Sequence, residues 1–154
     1  MFRIMLLLLA LTGALVAEPV PSEVKDAYQS LIHAWTKLDL AGVMDHFSSD
    51  AHILDGRGIV LNREGLEKSV EEAMNEGEGC TIDYKILSAR RDGEGDLLVR
   101  THQERTIDYG NRLAIRISER EDHWHQTSAG WKIRYVYFIT QSSTVESRTV
   151  RPRP

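Results

Sequence analysis

Leu38-Asp39-Leu40-Ala41-Gly42-Val43-Met44-Asp45-His46-Phe47-Ser48-Ser49-Asp50-Ala51-His52-Ile53-Leu54-Asp55 is the stretch that decides how this chain folds, because its periodicity changes part-way along. Asp39 is placed to cap a short helix over Leu40 to Phe47, with Val43, Met44 and Phe47 as its apolar side. Asp50 to Asp55 then reads as a short strand, closed by the turn Gly56-Arg57-Gly58. A helix therefore hands over to a strand here, and the same change is repeated on a larger scale on either side.

On the N-terminal side, Ser22 follows Pro19 and Pro21 as an expected N-cap. Val24, Ala27, Tyr28, Leu31, Trp35 and Leu38 then recur on one helical stripe of about four turns. On the C-terminal side, Asn62 caps a third helix carrying Leu66, Val70 and Ala73, which Gly77 and Gly79 end. From Cys80 onward the pattern alternates, and Asp92-Gly93-Glu94-Gly95-Asp96, Tyr109-Gly110-Asn111 and Ser128-Ala129-Gly130 divide it into four hairpin-linked strands. This order predicts an α+β fold, with three N-terminal helices packed on one face of a curved antiparallel sheet. Apolar residues on both faces around Ile115 and Ile117, and from Tyr135 to Ile139, predict that the second face is covered too, most simply by a homodimer.

The chain has 154 residues, 42% of them hydrophobic and 27% charged, as expected for one globular domain. With 23 acidic against 19 basic residues and a net charge of -4, it offers no electrostatic case for nucleic acid or an acidic membrane surface as partner. GxSxG, P-loop and GxGxxG motifs are absent, and with them the chemistries they support. Cys80 is the only cysteine, so an internal disulfide is excluded. Met1 to Ala17 combines Arg3, an apolar run and small residues before Glu18, the pattern of a secretory signal peptide. The protein is therefore expected to be secreted or periplasmic, with no membrane contact after cleavage. Residues 18–22 read as a linker, 23–142 as the domain, and 143–154, with Arg148, Arg151 and Arg153, as a polar flexible tail.

The stretch Leu38 to Asp55, followed at this distance by Gly130-Trp131-Lys132-Ile133-Arg134-Tyr135-Val136-Tyr137-Phe138, resembles the nuclear transport factor 2-like superfamily. This group is also called SnoaL-like or ketosteroid isomerase-like, and the resemblance runs from about Glu23 to Ser142. It implies a cone-shaped barrel enclosing a pocket. Members include isomerases, dehydratases, cyclases, binding modules and interaction domains, so the fold does not settle the function. The resemblance puts Asp55 where the isomerases carry a general-base aspartate, although a residue before Gly56 also reads as a turn former. Leu31 stands where those enzymes carry a catalytic tyrosine. Tyr28 lies one turn earlier, and Asp122 matches loosely the second proton donor, though beside His123 it also reads as a surface pair. Steroid isomerisation, which depends on paired donors, is thereby disfavoured.

The candidate catalytic residues are Asp55, Asp122 and His52; the candidate pocket residues are Tyr28, Trp35, Phe47, His102, Trp124 and Tyr135. His123-Trp124-His125 places two imidazoles on one side of a strand, with His102 or Glu104 from the neighbouring strand as further candidate ligands. That is too few ligands to specify a site, and a solvated face explains it as well, so no metal or other cofactor is expected. Three functions fit: binding of a small apolar molecule in the pocket, proton transfer by a lyase or isomerase with Asp55 as base, and a dimeric interaction domain working through Tyr135 and Tyr137.

Overall fold

The computed structural model describes residues 18–54, 58 and 60–148. The expected leader, Asp55 with most of its turn, and Arg151 and Arg153 lie outside these. Helix α1 spans Ser22–Thr36, α2 Leu40–Asp45 and α3 Arg63–Glu76. The strands are β1 Phe47–Leu54, β2 Val60–Asn62, β3 Gly79–Arg91, β4 Leu97–Asp108, β5 Arg112–Thr127 and β6 Gly130–Ser147.

Two of the expected caps are formed. The Asp39 carboxylate accepts from Gly42 N at 3.0 Å, and Asn62 Oδ1 accepts from Gly65 N at 2.9 Å. Asp39→Ala is expected to cost about 1 kcal/mol, measured by urea denaturation, because an orphan helix donor loses its partner; no measurable loss would show that the cap is idle. The cap expected at Ser22 is not formed. Pro21, extended at φ -52° and ψ 145°, takes the N-cap position and its carbonyl receives Val24 N and Lys25 N, so Ser22 is already helical.

The second helix is shorter than expected, and the strand after it begins earlier, at Phe47. Ile133 N donates to His46 O at 2.8 Å, and Phe47 pairs with Ile133, so β6 captures the chain before alternation is visible in the sequence. The sheet order is β2-β1-β6-β5-β4-β3. The strands β3 to β6 pair antiparallel as successive hairpins, whereas β1 lies parallel to β6, which makes the sheet mixed. β1 reaches the sheet from the helices rather than through a hairpin, so nothing forces it to reverse direction.

Residues 143–147, expected to belong to the tail, are part of β6. β6 continues through Ser147, with Leu113 opposite Glu146 and Arg112 opposite Ser147. Arg148 adds an ion pair to Asp108 at 2.9 Å. On β6, residues 141–147 are all exposed, and Ser142, Ser143 and Thr144 carry no apolar alternation to read.

The core lies between the helices and the concave face of the sheet. Val24, Tyr28 and Leu31 of α1, Val43 of α2 and Val70 of α3 pack onto Leu97, Val99, Trp124, Ile133 and Val136. Cys80 is buried there, and burial pushes its thiol up, which keeps it an inert hydrophobe. The convex face carries ion pairs, Arg90 with Glu121 at 3.2 Å and Arg100 with Glu119 at 2.7 Å, interspersed with the exposed Leu87. Ile117 and Tyr137 are exposed. Among the described residues no helix is long and apolar enough to cross a membrane.

Candidate functional site

The α1 stripe that carries Val24 and Leu31 also carries Tyr28, which it sets against β5. Tyr28 Oη donates to Asp122 Oδ2 at 2.7 Å and accepts from Trp124 Nε1 at 3.0 Å. Its ring meets Trp124 edge-on at 4.8 Å and stacks on Tyr84 at 5.4 Å. Arg120, two residues along β5, donates from Nη2 to Asp122 Oδ2 at 3.1 Å, and its Nε lies 3.0 Å from Oδ1. The angle of that second contact leaves Oδ1 without a formed hydrogen bond. With the Gln103 amide oriented to satisfy its neighbours, its oxygen accepts from Arg120 Nη2 at 3.1 Å.

This network is removed from water, since Asp122 and Trp124 are both 0% exposed and Tyr28 is 1% exposed. Burial raises the Asp122 carboxyl above the usual carboxylate range, against the opposing pull of Arg120 and the Tyr28 hydrogen bond. Burial first, then the Asp122 charge, lifts the Tyr28 phenol well above its ordinary value. Tyr28 therefore stays protonated, and its proton is committed to Asp122.

In front of this network is a cavity of about 520 Å³. Leu31, Trp35, Phe47, Val70, Ile82 and Phe138 are among its apolar walls; Tyr28, Gln103, Arg105, Ser118 and Arg120 supply polar groups. Of the residues expected to line a pocket, Tyr28, Trp35 and Phe47 do so. Asp122 and Trp124 stand behind the wall and reach the cavity through Tyr28. The reading of Asp122 as a surface pair is excluded by its burial.

His52, His102 and Tyr135 do not line the cavity, and strand alternation is the reason. Ile53 and Val136 take the inward positions beside His52 and Tyr135, and on β4 the inward positions are Thr101 and Gln103. His52 and Tyr135, opposite each other in register, stack their rings at 6.0 Å, and His123 meets Tyr135 at 5.8 Å. His102 is exposed on β4. Asp55 lies outside the described residues.

The two histidines around Trp124 are engaged separately, His123 with Glu121 at 3.1 Å and His125 with Asp96 at 2.6 Å. Among the described residues no three potential ligands converge on a metal position.

Arg105, Arg116 and Arg120 of the cavity wall were not anticipated as site residues. Their signal was present but faint: on β4, Arg105 shares its parity with the buried Val99 and Ile107. An arginine in an inward position is the kind of local conflict that marks a site.

Comparison with known proteins agrees with this architecture. No family model and no curated protein matches the sequence. Solved structures do match in fold. The chain is similar to a candidate scytalone dehydratase from Novosphingobium aromaticivorans, at 13% identity and TM-score 0.68, over 84% of this chain and 87% of that one. It is also similar to a hexachlorocyclohexane dehydrochlorinase, at 11% identity and TM-score 0.63, over 84% and 92%. A ketosteroid isomerase-like protein from Erwinia carotovora atroseptica matches at 12% identity and TM-score 0.57, over 76% and 94%. The fold is the nuclear transport factor 2-like cone, with three helices on a six-stranded, mostly antiparallel sheet.

Proposed function

We propose that this protein binds a small, mostly apolar molecule inside the cone, and that it does so after export directed by the Met1–Ala17 leader. The observation that carries the reading is the cavity: about 520 Å³, walled by Leu31, Trp35, Phe47, Val70 and Ile82, with Tyr28, Gln103 and Ser118 as polar groups. That volume falls within the range of roughly 300–1,000 Å³ typical of small-molecule sites, which pair apolar walls with a few polar groups. A domain working only through its sheet surface has no use for an open cavity, and a collapsed one would have cost less stability.

The test uses 2-naphthylmethanol as a neutral apolar probe, titrated calorimetrically into the protein and into Ala73→Phe. Ala73 is part of the cavity lining on α3, so a phenyl group there occupies ligand space. The wild type is expected to bind, and Ala73→Phe to bind at least about tenfold more weakly. Equal binding by the two proteins would place the probe elsewhere and remove the reading.

A proton-transfer enzyme is the second reading, favoured by the Tyr28–Asp122 couple: a buried carboxyl with a raised pKa, joined to a tyrosine in the cavity wall. Asp122 is not itself part of the wall, so any role in such chemistry passes through Tyr28.

A further inference from the structure

Three arginines of the concave face lie in or beside the cavity, but only one of them is neutralised. Arg120 is held by Asp122. Arg105 and Arg116 both line the cavity and stand directly opposite each other in the β4–β5 register. Neither takes part in an ion pair among the described residues, whereas Arg90 and Arg100, on the convex side of β3 and β4, each have a carboxylate within 3.2 Å. Arg105 is partly buried, and its guanidinium lies 4.5 Å from the centroid of the Trp35 ring. Desolvation, then the charge of Arg116, pushes it down to about 10, which still leaves it cationic at neutral pH. Glu72 and Glu76 of α3 also belong to the cavity lining, but both are exposed, and neither pairs with these arginines.

Such an arrangement works against folding. Like charges directly opposite on an antiparallel pair repel, and a cation drawn out of water without a partner carries a desolvation penalty. A chain with a net charge of -4 has acidic residues to spare, yet it sets none against Arg105 or Arg116 among the described residues. Strain of this kind is relieved when an anion enters between the two guanidinium groups and forms charge-assisted hydrogen bonds, which are strongest at the partly buried Arg105.

We propose that the molecule received by the cavity is an apolar acid, whose carboxylate is bound by Arg105 and Arg116 while its ring or chain lies along Trp35 and the apolar wall. This rests on the cavity-binding reading above and gives it a substrate class. Arg105, stacked on Trp35, supplies a fixed, pre-oriented fork; Arg116, more exposed, draws the anion in at the mouth.

The experiment compares two probes of nearly the same shape, 2-naphthoate and the neutral 2-naphthylmethanol, by calorimetry on the wild type, Arg105→Gln and Arg116→Gln. The wild type is expected to prefer the naphthoate by about tenfold or more, the scale of one hydrogen-bonded charge pair. That preference should shrink in each variant while 2-naphthylmethanol affinity changes less than about twofold. If Arg105→Gln does not fold, Arg116→Gln, at an exposed position, carries the same test. Equal affinity for the two probes, or a preference that survives both substitutions, overturns the apolar-acid assignment and leaves cavity binding standing. If neither probe binds, cavity binding fails and the assignment fails with it.

Discussion

Replacing Asp122 by alanine is expected to destabilise the fold by about 3–5 kcal/mol, the usual cost of removing one member of a buried ion pair. Asp122 is 0% exposed and holds Arg120, whose side chain is only 14% exposed, so the substitution strands a guanidinium that has little water to turn to. It also leaves the Tyr28 hydroxyl without its acceptor. Urea denaturation measures the effect, and a loss below about 1 kcal/mol would show that Arg120 finds another partner at little cost. Asp122→Asn keeps the shape and should cost less. It also reveals the sign of the pH dependence. Burial raises the Asp122 pKa above the ordinary carboxyl value of 3.8. The proton-linked part of this carboxyl's contribution to stability is therefore complete below about 3.8 and is lost as pH rises through the folded-state value, while its bonds to Arg120 and Tyr28 remain. The stability gap between wild type and Asp122→Asn should narrow over that window. A gap that widens instead would show that Arg120 outweighs burial and lowers the pKa.

Trp124→Ala is expected to cost a similar amount, about 3–5 kcal/mol, for a different reason. The indole is 0% exposed, meets Tyr28 edge-on and donates to its hydroxyl. Removing it opens a void behind the wall of an existing cavity, where neighbouring side chains are already short of packing partners. The denaturation midpoint should fall with little change in slope, since the surface exposed on unfolding is nearly the same. A cost below about 2 kcal/mol would mean that Tyr28 and its neighbours collapse into the space.

These two residues also show which parts of the site could be read in advance. Tyr28 follows from the helical stripe of α1, where Val24, Leu31 and Trp35 share its side. Trp124, a pocket candidate from the sequence, lies one layer behind the wall. His52, His102 and Tyr135 lie off the cavity for one shared reason, because a strand assigned without its neighbours has no inside. Alternation says that His52 and Ile53 face opposite ways, but only the pairing of Ile53 with Val136 under the helices says which one is inward. The opposed arginines were hidden for a related reason. Arg105 faces Arg116 only in the register that the β4–β5 hairpin adopts around Tyr109 and Gly110. The length of β6 was hidden because Ser142, Ser143 and Thr144 carry no apolar alternation.

The cavity as the binding site is tested most directly by methyl NMR of the protein, labelled at its Ile, Leu and Val methyl groups and titrated with 2-naphthylmethanol. Ring-current shifts are predicted at Leu31, Val70, Ile82 and Ile107, all in the cavity lining, with no change at Ile117 on the convex face. Shifts confined to Ile117 and its surface neighbours, or none at saturating probe, would contradict the account.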